Sequence, residues 1–124
     1  MKRVLVCGGR DYADVRHVYQ VLDLIWPNVV IHGAAPGADT HAGAWARKHN
    51  VEERACPAAW GTLGGAAGPI RNAGMLDQHD PHLVIAFPGG DGTEDMVKKA
   101  LAAGVPVIRV EARKPKPPET LDLF

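Results

Sequence analysis

Sulfur, net charge and long apolar runs are all scarce in this chain. Its 124 residues contain two cysteines, Cys7 and Cys56, too far apart for a C-x-x-C motif. Both are expected to be reduced, largely buried thiols of a cytoplasmic protein. No stretch approaches the roughly 20 apolar residues of a membrane span. Met1-Lys2-Arg3 runs directly into Val4-Leu5-Val6-Cys7, then into glycine and charge. That pattern reads as a first strand rather than a signal peptide. The 14 lysines and arginines balance 14 aspartates and glutamates. A nonspecific nucleic-acid binder usually carries a basic excess, so neutrality disfavours an extended DNA track but leaves room for a local basic pocket.

Three common signatures are also missing. Gly8-Gly9-Arg10-Asp11-Tyr12 is half a dinucleotide fingerprint without G-x-G-x-x-G, and His32 stands where an NAD site has an acid. A Rossmann dehydrogenase is therefore disfavoured. The absence of GxxxxGK[ST] argues likewise against a P-loop ATPase. The six histidines fit no compact zinc spacing. His79-Asp80-Pro81-His82 precedes a strand, away from the expected ligand edge, so neither a metal nor a resident cofactor is indicated.

What the chain does have is alternation. Strand-like runs at Val4–Cys7, Val29–His32, Val51–Cys56, Leu83–Phe87 and Val105–Val110 are separated by helical patterns. Those patterns cover 12–25, 39–48, 69–78 and 93–103. Glu52, Glu53 and Arg54 interrupt the third strand and mark it as an edge. Leu83–Phe87 is the most apolar run and is expected at the sheet centre. The expectation is an α/β fold: one Rossmann-like, three-layer α/β/α domain with a mainly parallel five-stranded sheet over 1–110. Residues 111–124, with Pro115, Pro117 and Pro118, read as an exposed tail whose Leu121-Asp122-Leu123-Phe124 end either frays or docks.

In parallel sheets, ligands sit beyond the carboxyl ends of the strands. Glycine collects in the loops that leave those ends. Pro88-Gly89-Gly90-Asp91-Gly92-Thr93 follows the apolar fourth strand and opens a helix, a setting that offers backbone amides to an anion. Thr93 either caps that helix or binds phosphate. Arg71, after Gly68-Pro69, can grip phosphate bidentately or form a surface ion pair. Asn72 can meet a base edge, a ribose hydroxyl or nearby backbone. In Gly33-Ala34-Ala35-Pro36-Gly37-Ala38-Asp39-Thr40, Gly37 permits the turn. Asp39 is placed to cap the next helix, with a ribose hydroxyl or a neighbouring loop as alternatives. Gly8 and Gly9 turn the first loop. Arg10 either covers phosphate or pairs with Asp11 or Asp14. Trp60 lies in a glycine-rich crossover and either stacks on a base or anchors its loop.

The ordered segments Cys7-Gly8-Gly9-Arg10-Asp11-Tyr12, His32 to Asp39, Ala67-Gly68-Pro69-Ile70-Arg71-Asn72 with Met75, and Phe87 to Thr93 resemble the SLOG superfamily. The similarity is greatest to its YspA/YpsA-like branch. The resemblance implies a nucleotide or nucleotide-derived ligand, a possible sensing role and a homo-oligomer. Related LOG phosphoribohydrolases release a base from a nucleoside monophosphate, pairing an arginine with a glutamate in PGGxGTxxE. Here Arg71 matches the arginine, but Met96 stands at the glutamate position and cannot stabilise an oxocarbenium-like centre. If such cleavage occurs, Arg71 with Asp95 or Glu94 must carry it, although both acids are expected to point elsewhere on the helix. The chain also resembles the DNA-processing protein A family, through Gly33–Asp39 and Arg71-Asn72, which implies single-stranded DNA as an alternative partner.

Overall fold

A computed structural model describes residues 1–113. The proline-rich segment and its apolar end lie outside the described residues. Five strands form one sheet: β1 (Arg3–Cys7), β2 (Val29–His32), β3 (Glu52–Ala55), β4 (Leu83–Ala86) and β5 (Val107–Arg109). The order is β3-β2-β1-β4-β5, and every pairing is parallel. The central strand is β1, not the more apolar β4, which lies between β1 and β5. Between β1 and β4 the chain reverses its direction of strand addition, the place where the following loops part and leave a crevice.

Two-residue alternation divides the core between two faces. Val4 and Val6 point to one side, where Val30, Ile85 and Phe87 join α1 (Val15–Ile25) and α2 (Ala38–Lys48) through Val18, Leu22, Ala42 and Trp45. Leu5 and Cys7 point to the other. There Ile31, Val84 and Ala86 meet α4 (Ala67–His79) and α5 (Asp91–Ala102) through Met75, Met96, Val97 and Ala100. Because β1, β2 and β4 are covered on both faces, they read as nearly continuous apolar runs. By contrast, β3 has no buried residue, as its charges anticipate for an edge.

The helices begin where local chemistry sets them. α1 starts at Val15, later than the apolar pattern suggests, because the Asp14 carboxylate accepts a hydrogen bond from His17 N (3.2 Å) and caps the helix. Asp14 is thereby removed from Arg10, and Arg113 takes its carboxylate. The 57–67 crossover, expected to be irregular, contains a one-turn α3 (Trp60–Leu63) and a 3₁₀ turn (Gly64–Ala66) that runs into α4. α5 begins at Asp91, two residues early, with Gly90 as its cap. At the opposite edge of the sheet, Arg3 holds Asp80 and His82 of the His-Asp-Pro-His run together (both 3.1 Å).

The loops at the carboxyl edge lock backbone to backbone. Gly9 N donates to Pro88 O (2.8 Å), and Ala38 N donates to Gly9 O (3.3 Å). Gly37 has φ +83°, and a Cβ there would overlap Gly9 O and lie 2.7 Å from Arg10 O. Neither carbonyl can move without breaking the lock. Gly37→Ala is expected to cost about 3 kcal/mol or more, from strain plus overlap. Gly61→Ala, where a Cβ meets nothing within 4 Å, should be neutral or slightly stabilising. Urea unfolding of the two variants beside the parent checks this, and equal midpoints would overturn it.

Candidate functional site

At the carboxyl edge, a cavity of about 480 Å³ opens between the loops after β1, β2 and β4 and the start of α4. Its size falls within the roughly 300–1,000 Å³ of small-molecule sites. Gly8, Gly9, Arg10, Asp39, Trp60, Arg71, Asn72, Gly90, Asp91, Gly92, Thr93 and Asp95 all line it. These twelve come from five separate stretches of sequence and are brought together by the parallel topology. Four further candidates, Gly33, Gly37, Pro88 and Gly89, stand behind the wall. They brace it: a Cβ on Gly89 would overlap Thr93 Oγ1 and lie 2.7 Å from Gly9 N. Gly90 and Gly92 differ, because a Cβ on either meets no protein atom within 4 Å. Both line the cavity, and no protein atom fills the space beside them.

Arg71 reaches across from α4. Its Nη1 donates to Gly33 O and to Cys56 O (3.4 Å), and its Nε donates to Asn72 Oδ1 (3.1 Å). These acceptors are neutral, and among the described residues no carboxylate lies within salt-bridge distance of Arg71. The alternative of a surface ion pair is therefore not realised, and the guanidinium brings a positive charge to the wall, with the Asp39 carboxyl its nearest acidic influence. Gly33 makes this crossing possible, since a Cβ there would overlap the guanidinium.

Asp39 does not cap α2. Gly37 holds the cap position, and the buried Asp39 carboxylate accepts from Gly33 N (3.0 Å) and Ala35 N (3.3 Å), folding the loop over its own helix. Burial pushes its carboxyl above the usual range, although these amides, His32 and Arg71 partly offset the effect. Below the loop, His32 Nδ1 accepts from Ala34 N (2.9 Å), so Nε2 carries the proton and donates to Glu53 Oε2 (2.6 Å). Arg47 completes that cluster on Glu53.

Asn72 does not hydrogen-bond the backbone of its own turn through its amide. Its Nδ2 donates to Gly92 O (3.2 Å) and to Asp95 Oδ2 (2.9 Å), joining α4 to α5. Thr93 is not the helix cap either; it is buried in the first turn with its hydroxyl against Gly89. Beyond it the two acids part. Glu94 points outward and pairs with Arg109 through both oxygens (2.8 and 2.9 Å). Asp95 faces the cavity, contrary to the sequence-based expectation, because the early start of α5 fixes Met96 toward the core. Lys99, one turn later, pairs with Asp95; its i,i+4 spacing is a signal the sequence reading passed over. Cys7 also lines the cavity and was read only as a core thiol. Burial pushes its pKa to about 12, so it stays protonated.

Partial burial raises the Asp95 carboxyl, but hydrogen bonds from Lys99 and Asn72 and the charges of Lys99 and Lys98 outweigh it and hold the group below its ordinary value. Asp95 is thus an anion at neutral pH. A carboxyl lowered by folding adds stability above its unfolded value, about 3.9, and loses that contribution as pH falls through the folded midpoint. Asn72→Ala is expected to raise the Asp95 midpoint and to shrink this acid-side loss. Carboxyl titration by NMR, with urea midpoints at pH 7 and pH 3, checks both.

The model of the YspA, cpYpsA-related SLOG family matches residues 2–62. The Gene 61 protein of Mycobacterium phage D29 is 36% identical over 120 residues, spanning 87% of this chain and 95% of the phage protein. Among solved structures, a molybdenum cofactor binding protein from Rippkaea orientalis superposes with a TM-score of 0.68 at 22% identity, over 90% of this chain and 77% of that one. Acinetobacter baumannii MurG superposes at 0.58 and 14% identity, over 99% of this chain but 38% of its own. These two structural likenesses are of fold. With its ordered loop segments, its all-parallel sheet and its phage relative, the chain belongs to the YspA, cpYpsA-related SLOG family.

Proposed function

We propose that this protein binds a nucleotide or nucleotide-derived ligand, with a phosphate at the start of α5 and Arg71 as its counter-charge. The observation that carries this reading is the open space at Gly90 and Gly92, across a cavity whose wall includes an unpaired guanidinium. The first intrahelical bond of α5 runs from Glu94 N to Gly90 O (3.0 Å). The amides of Asp91, Gly92 and Thr93 precede it and are the donors that a helix offers to an anion. The family assignment is in keeping with such a ligand, and the Rippkaea fold neighbour is described as binding a small molecule. Binding without turnover, as in a sensor, requires nothing further of the site.

N-glycosidic cleavage of a nucleoside monophosphate is a second reading, favoured by one observation. Asp95 is an ionised carboxylate on the cavity wall, oriented by Asn72, in a chain where Met96 occupies the usual glutamate position. Water would attack ribose C1′ as the C1′–N bond breaks, with Asp95 accepting a water proton that the departing base then takes up, leaving ribose 5-phosphate, the neutral base and an ionised Asp95. Base release lost in Asp95→Asn and kept in Glu94→Gln would support this reading. No release from the parent protein leaves binding alone.

Calorimetry with ribose 5-phosphate tests the phosphate site. Arg71→Ala should weaken binding about tenfold or more, the cost of losing a charge-assisted contact, and Arg71→Lys should restore it only in part. Gly92→Asp, which places a carboxylate in open space at a helix start that tolerates acids, should abolish binding while the melting temperature holds. Unchanged affinity in both Arg71→Ala and Gly92→Asp would refute the assignment.

A further inference from the structure

Trp60 and Arg10 give part of the cavity wall a different chemistry. Trp60 stands at the cavity mouth on α3, 47% exposed, with its ring edge packed over Gly68. From the β1–α1 loop, the Arg10 guanidinium lies over that ring, 5.8 Å from its centroid. Arg10 has no salt-bridge partner among the described residues, since Arg113 holds Asp14.

The separation is informative. A guanidinium carbon 5.8 Å from the ring centroid is within the range of a loose cation–π contact. A ring held between the two groups needs about 7 Å between their planes. An outward shift of one exposed, flexible arginine would therefore admit a flat ring between them. A saturated sugar or an alkyl chain would gain less here, because an indole face and a guanidinium plane both favour a delocalised ring.

The supporting segment can follow such a ring. No residue of α3 or of the 3₁₀ turn after it is buried. Gly61, Gly64 and Gly65 have no protein atom near the space a Cβ would take. The contact of Trp60 with Gly68 and Arg10 is thus a principal tie between this segment and the cavity.

We propose that Trp60 and Arg10 form a ring subsite that holds a planar heteroaromatic group, a nucleobase, in the same cavity as the phosphate. This rests on the phosphate reading for the ligand's orientation, but its chemistry is separate. Calorimetry with AMP, ribose 5-phosphate and adenosine, on parent, Trp60→Ala and Trp60→Phe proteins, distinguishes the two. Trp60→Ala should weaken AMP about tenfold, the scale of base–aromatic stacking, and leave ribose 5-phosphate unchanged. Trp60→Phe should keep most of the AMP affinity, and unchanged thermal melts show that the fold is intact. Equal loss for AMP and ribose 5-phosphate would make Trp60 a loop anchor and overturn the proposal, as would no loss for either. Trp60-dependent binding of adenosine without any binding of ribose 5-phosphate would refute the phosphate site and leave the ring subsite standing. Failure of the parent to bind either AMP or adenosine would remove the ring subsite.

Discussion

The architecture of the site depends on one close approach, the contact of the β1–α1 loop with the β4–α5 loop at the reversal point of the sheet. Gly9 N reaches Pro88 O, and the Cα of Gly89 lies against Gly9, so two main chains touch with no side chain between them. Gly37 brings the third loop onto the same carbonyl. Backbone contact of this kind is stiff, because neither partner can repack as side chains do. It holds the start of α5 at a fixed place relative to β1. Arg71 then ties the ends of β2 and β3 to α4 through two carbonyl oxygens.

Much of this was legible in the sequence. Alternation of apolar runs with helical spacing gave the layers, and the charges of Glu52, Glu53 and Arg54 placed β3 at an edge. Glycine-rich segments after strands pointed to the edge of the sheet where the cavity opens. What could not be read was which glycine borders the cavity and which packs against the protein. Gly89 and Gly90 are neighbours of identical type, yet one is packed against a hydroxyl and an amide while the other borders open space. That distinction depends on contacts remote in sequence. The roles of Asp39 and Asn72 were obscured for the same reason. Short polar side chains near a helix start suggest capping, but tertiary partners, the Gly33 amide and the Asp95 carboxylate, claimed them first. Two residues of register in α5 decided the fate of Glu94, Asp95 and Met96, and element boundaries are the least certain part of a sequence reading.

The acidic groups around the cavity have been separated by their surroundings. Asp39 is buried among amides with its carboxyl raised, while Asp95 is lowered by a lysine and an amide. The first is committed to holding a loop. The second stays ionised at the cavity wall, paired with Lys99.

Gly92 carries a consequence for how the chain can change. Glycine inside a helix is worth about 1 kcal/mol less than alanine, and no packing here recovers that difference. The chain therefore carries a standing instability at the rim of its own cavity. Substitutions that relieve it would be easy to accept in a lineage that makes no use of the cavity. Retention of Gly92 across relatives would then be a record of function, legible without knowing what is bound.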